Sequence, residues 1–214
     1  MSGRDPAGKA RLWLAPVGRS QPPVIVPNAQ GDEPHFGAND EVYFRGADDE
    51  SRLHIYRVEK DGRGLRKAIS TPIQHFGGLS PDGQWAIAFA QLASGKGLFT
   101  QAFPLDGGRA LPLYVGGANS NTVSWTADGR FLLLAGGITT GALLESAAET
   151  SLIPIPEGKT FPDFPAGGYQ PATIKEVPGY RVISSGGVAP GPVSEVFAFT
   201  RQAVQRNLYR VPLP

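Results

Sequence analysis

LSPDGQWAIAF, residues 79–89, sets Ser-Pro-Asp-Gly between an apolar residue and an apolar run that ends in Phe89. Proline fixes φ near −65°, aspartate bonds its own backbone two residues on, and glycine accepts a positive φ, so the chain reverses cheaply here. A strand following such a turn predicts a hairpin. WTADGRFLLL, residues 125–134, repeats the pattern position for position: large apolar residue, hydroxyl, small residue, Asp, Gly, polar residue, apolar strand. FGANDEVYF at 36–44 is a copy one residue shorter, with Asn39-Asp40 in place of Asp-Gly, and PGPVSEVFAF at 190–199 keeps the strand but replaces the turn. Four turn-plus-strand units are therefore legible.

A second landmark recurs independently, in LAPVGRS (14–20), YRVEKDG (56–62), AFPLDGG (102–108), LIPIPEG (152–158) and RVPLP (210–214). Its steps widen along the chain, which marks insertions, and the stretch 157–193 reads as a long surface excursion. A unit of about 40–50 residues holding about four short strands is the mark of propeller blades, because one small sheet cannot bury both of its faces without neighbours. A β-sandwich would show frequent turns without recurrence of the whole unit. The expected fold is all-β, a β-propeller of four to five blades of four-stranded antiparallel sheets. The chain is expected to be a single module over 1–214, with blades near 9–30 (partial), 31–72, 73–117, 118–158 and 165–214 (irregular).

Composition agrees. With 28 glycines and 20 prolines spread along 214 residues, many short strands and few long helices are expected. Twenty basic and 19 acidic residues leave a formal charge of +1 and no basic block, so neither nucleic acid nor an anionic membrane is an expected partner. The absence of cysteine removes disulfides, thiolate metal sites and cysteine nucleophiles. The first residues lack the apolar core of a signal peptide, and no stretch approaches the length needed to span a bilayer. The chain as given is thus expected in the cytoplasm by default, or in the periplasm if it belongs to a membrane-anchored parent.

LSPDGQWAIAF and WTADGRFLLL resemble the TolB-like, WD-like β-propeller repeat, and SRLHIYRVEKDG (51–62) resembles its third strand and following turn. The tail FAFTRQAVQRNLYRVPLP (197–214), with FPDFPAGG (161–168) before it, resembles the carboxyl end of propeller regions attached to bacterial membrane-anchored serine/threonine kinases. That resemblance implies a sensor or scaffold role. The chain begins and ends on third-strand motifs, so an incomplete ring, a first blade without inner strands, and self-association are expected.

Catalytic signatures are missing. Neither GLSPDG nor ISSGGV has the G-x-S-x-G spacing of a nucleophile elbow, and the kinase motif set, the phosphate loop, the EF-hand loop and the sialidase Asp box are absent. His35 in PHFG and His75 in QHFG lie 40 residues apart, so they are expected at equivalent places on adjacent blades, before the inner strand that borders the central channel. They are candidate ligand contacts at the channel mouth, or else donors to a neighbouring blade's backbone. No metal site and no cofactor is expected. Arg201, Arg206 and Arg210 form a candidate strip for a protein partner, or a solvated face. Trp85, Phe89, Trp125 and Phe36 are expected in the core between blades. Two functions follow: a non-catalytic module binding a protein or small ligand at the propeller face, and an accessory propeller of a hydrolase or a propeller enzyme with scattered active-site residues.

Overall fold

In the computed structural model, residues 1–18, 21–37, 40–91, 98–114, 122–135, 149–170, 172–185, 188–193 and 195–199 are described. The two strong turn copies fold alike. Ser80 N donates to Trp85 O, Trp85 N to Ser80 Oγ at 3.0 Å, and Gln84 N to Asp82 Oδ1 at 3.0 Å. In the other copy Thr126 N donates to Phe131 O, Phe131 N to Thr126 Oγ1 at 3.0 Å, and Arg130 N to Asp128 Oδ1 at 3.1 Å. Gly83 and Gly129 sit at φ 67° and 68°, a region that glycine enters at no steric cost. In the shorter copy Asp40 takes that conformation, at φ 64°, and Gly37 N closes the turn on Glu41 O.

The serine and threonine are buried, so each hydroxyl replaces water for a backbone N–H that the ladder does not use. Ser80→Ala and Thr126→Ala are each expected to cost about 1–2 kcal/mol by stranding that donor. The two losses should add in the double variant, because the sites share no partner. Urea midpoints of the three variants check this, and a silent Ser80→Ala would contradict it.

Among the described residues the strands build five antiparallel sheets. The first is β1 (Ser2–Arg4), β2 (Ala10–Leu14) and β3 (Val24–Ile25). The second is β4 (Asp32–Phe36), β5 (Glu41–Ala47), β6 (Leu53–Glu59) and β7 (Arg66–Lys67). The third is β8 (Ile73–Leu79), β9 (Trp85–Gln91), β10 (Leu98–Pro104) and β11 (Leu111–Tyr114). The fourth is β12 (Thr122–Trp125), β13 (Phe131–Ala135), β14 (Thr150–Pro154) and β15 (Arg181–Ile183). The last is β16 (Ala189–Pro190) with β17 (Phe197–Ala198). The first strand of each sheet lies against the sheet before it: β4 against β1 and β2, β8 against β4, β5 and β6, β12 against β8, and β16 against β12. Sheets stacked through successive inner strands are the blades of a β-propeller.

The second, third and fourth sheets bury both faces, successive side chains along a strand pointing to opposite sides. Along β5, Val42 and Phe44 join Leu12 of the first sheet, while Tyr43 faces Phe76 and Ala88 of the third. Along β9, Ile87 packs toward Leu132 and Leu134, whereas Ala86, Ala88 and Ala90 turn toward Ile55. The small side chains on that face admit the bulky residues of β5, β6 and β8. Leu133 and Leu152 look away from the third sheet and bury Val188.

Two expectations need correction. Phe36 is 68% exposed at the end of β4 and does not fill a core. A first blade without inner strands was expected, but Ser2–Arg4 pairs with β2 in the place that β5 takes in the second sheet.

The excursion is shorter than the 157–193 stretch expected, since 181–183 supplies the outermost strand of the fourth sheet and 189–190 opens the last. Its body, residues 155–180, folds back over the turns of the third and fourth sheets. Phe161 lies between Trp85 and Trp125, at ring-centroid distances of 5.5 and 5.6 Å. Trp125 Nε1 donates to Thr160 O at 2.7 Å, Thr160 Oγ1 donates to Asp82, and Tyr169 N donates to Leu113 O. FPDFPAGG thus supplies a wedge that joins two blades, followed by one turn of 3-10 helix at Ile174–Glu176.

Candidate functional site

Asp-Glu-Pro-His-Phe is an unusual strand, because proline cannot donate to a ladder. The register of β4 against β5 shifts between Asp32 and His35, and Glu33 takes φ 50°. That irregularity turns both acidic side chains toward the one charged residue inside the apolar β5 run. Arg45 forks onto Asp32, with Nε to Oδ1 and Nη2 to Oδ2 both at 2.8 Å. Its Nε also lies 3.3 Å from Glu33 Oε2, and its Nη1 donates to the Gln74 carbonyl of β8. Glu33 reaches across in the same direction, accepting from Phe76 N at 2.7 Å and lying 3.0 Å from His75 Nδ1. The second and third sheets are therefore clasped at the start of their inner strands.

His75 is the exposed member, with 55% of its side chain accessible, whereas Arg45 keeps 15%. Nδ1 faces both a carboxylate at 3.0 Å and the Arg45 guanidinium at 3.2 Å. The shorter contact and the negative charge favour Nδ1–H donating to Glu33, which leaves the Nε2 lone pair for a ligand. The guanidinium bonded to Asp32 holds that carboxyl below its ordinary range.

His35 plays a different part. Its ring meets Phe76 edge-on at 4.8 Å and lies in van der Waals reach of Gly78 on β8. Burial lowers its affinity for a proton, with a hydrogen bond to the Phe76 backbone and the charge of Glu33 working the other way. A histidine kept neutral by the fold stabilises it fully at neutral pH, and that share is lost as pH falls below about 6.5, where the unfolded chain takes up the proton first. His35→Phe is expected to remove this part of the acid sensitivity while costing about 1 kcal/mol at pH 7 for the lost hydrogen bond. Unfolding curves from pH 7 to pH 5 decide it; parallel losses in both proteins would rule it out.

The two histidines are not at equivalent positions. Glu41 and Trp85 close equivalent turns, yet His35 pairs with Tyr43, two residues beyond the first, and His75 with Phe89, four beyond the second. His35 stands two residues before the turn that Gly37 opens and His75 five before the one that Ser80 opens, and this breaks the correspondence that PHFG and QHFG promised. Arg201, Arg206 and Arg210 lie outside the described residues. Among the described residues no group of three or more histidine or acidic side chains is arranged to hold a metal ion.

The third histidine belongs to a hairpin that sequence reading missed. Asp5 and Asp48 each accept from the backbone N–H groups two and four residues on, at 2.9–3.0 Å. Six residues after each aspartate stands a side chain that reaches its second oxygen: Arg11 at 2.9 Å and His54 Nε2 at 3.1 Å. Lys67 adds a contact of 2.9 Å to Asp48, and together with desolvation, which opposes it, and the backbone donors, leaves that carboxyl strongly acidic. His54 is thus a hairpin clamp, with Nδ1 buried and unpartnered. DPAGKAR and DDESRLH share only the leading Asp and a basic residue at each of the two donor places, too little to recognise without register. Asp32, Glu33 and Arg45 were missed as well, although a charge inside VYFRG was a usable signal, since a buried charge needs a partner.

No protein-family model matches the chain, and no curated protein matches it. Among solved structures it is similar to TolB from Acinetobacter baumannii, at 15% identity and a TM-score of 0.51, over 69% of this chain and 36% of that one. It is also similar to a candidate TolB from Agrobacterium tumefaciens, at 14% identity and a TM-score of 0.49, over 72% of this chain and 57% of that one. A gluconolactonase from Xanthomonas campestris matches at 12% identity and a TM-score of 0.40, over 70% of this chain and 56% of that one. The chain spans less than two thirds of the length of each. The first likeness shows a shared β-propeller fold, and a fold does not carry a function with it.

Proposed function

We propose that the chain is a non-catalytic propeller module that binds a protein or small ligand at the channel mouth, as the sensor or scaffold part of a bacterial signalling protein. One observation carries the reading: a rim whose charged groups are engaged with one another while one imidazole edge, on His75, stays accessible. Such a rim is stiff before any ligand arrives, which lowers the entropy cost of binding. No hydroxyl is hydrogen-bonded to His75 among the described residues, so the Glu33–His75 pair orients an imidazole without an adjoining nucleophile. In this reading His75 and His35 flank the contact, and Arg201 and Arg206 add cations for a protein partner. The resemblance of residues 161–168 and 197–214 to kinase-linked propellers supports the signalling assignment.

The test is retention from a bacterial lysate on the immobilised chain, followed by mass spectrometry. A component held by the natural chain and lost with His75→Ala, at unchanged circular dichroism, supports the proposal. Equal retention by both, or ester or lactone turnover by the purified chain, overturns it.

A further inference from the structure

At the opposite end of the strands from the histidine rim, the excursion and the end of β14 line an open groove of about 560 Å³. Five of its lining residues are prolines, Pro154, Pro156, Pro162, Pro165 and Pro178. Their fixed φ values make the walls rigid before anything binds. Tyr169 forms part of the floor and is pinned twice, its hydroxyl donating to Asp163 O at 3.0 Å and its N–H to Leu113 O at 3.0 Å. The charged residues lining the groove are Asp163 and Glu176, both acidic. Lys159 bonds Asp163 at 2.5 Å, but both side chains are largely exposed, and such pairs are weak and readily exchanged. Glu176 has no ion-pair partner among the described residues.

We propose that this groove binds an extended peptide segment bearing arginine or lysine. The occupant follows from charge and shape together. Proline rings offer an apolar track on which the methylene stem of a long cationic side chain lies, while its head reaches a carboxylate at the rim. An acidic segment of the same shape would meet the carboxylates of Asp163 and Glu176, the charged residues of the lining. The groove binds independently of the histidine rim, so the two sites stand or fall separately.

Two fluorescently labelled peptides, APRVPRPA and APEVPEPA, test this with the whole chain by anisotropy. The arginine peptide is expected to bind at least about tenfold more tightly, with affinity falling between about 50 and 300 mM salt as screening grows. Glu176→Lys should weaken it about fivefold or more, the size of an exposed ion pair, while Glu157→Lys, on the same excursion but outside the groove, should leave it unchanged. Both positions are exposed, so neither variant threatens the fold. Equal affinity for the two peptides, no binding of either, or equal losses from both variants would overturn the proposal.

Discussion

Phe161→Ala is expected to lower the unfolding free energy by about 3–5 kcal/mol, the range for emptying a buried phenylalanine site. The ring is 8% exposed and touches Trp85, Trp125 and Phe164, which come from three separate segments. The gap is expected to stay open, because Trp85 N is bonded to Ser80 Oγ and Trp125 Nε1 to Thr160 O. Phe161→Leu keeps most of the volume and should cost less than about 1.5 kcal/mol. Since two of the three tryptophans flank the ring, the alanine variant should also shift tryptophan emission to longer wavelength. A natural unfolding midpoint for Phe161→Ala would show that the third and fourth sheets hold together without the excursion.

Arg45→Met strikes the other seam. It leaves Asp32 and Glu33 side by side with no guanidinium and removes a donor from the Gln74 carbonyl. Breaking a buried ion pair from one side costs about 3–5 kcal/mol, but Asp32 is 44% and Glu33 28% exposed, so screening reduces the expected loss to about 2–3 kcal/mol. Arg45→Lys should recover less than half of it, since an ammonium cannot fork onto both Asp32 oxygens. A double-mutant cycle with Asp32→Asn should return a coupling of at least about 1 kcal/mol. Asp32 is held acidic by that fork, so its share of stability is present above about pH 4 and is lost as pH falls further. Arg45→Met should therefore flatten the acid limb of the stability curve below pH 4. An unchanged acid limb, or additive effects in the cycle, would mean that the clasp does not join the blades.

Much of the fold was legible because turn chemistry is local. Ser-Pro-Asp-Gly and Thr-Ala-Asp-Gly specify their hairpins through bonds made within six residues, and those bonds are present. Alternation was legible for a similar reason, since AIAF and FLLLA bury both faces as their composition implied. The histidine equivalence failed because His35 stands two residues before the start of its turn at Gly37 and His75 five before Ser80, so the two ladders pair them at different depths. Phe36 failed because at the strand end its ring meets the Lys60 ammonium, 5.8 Å from the centroid, rather than a packed apolar face, which the motif alone does not reveal.

From residues alone came the repeat, the blade-forming strands and the presence of an excursion, all consequences of interactions between near neighbours in the chain. Only the folded arrangement placed Phe161 between two tryptophans and brought Asp32, Glu33, Arg45 and His75 to one rim. Those contacts join positions up to 76 residues apart, from Trp85 to Phe161, and across that separation their geometry depends on how one sheet leans on the next.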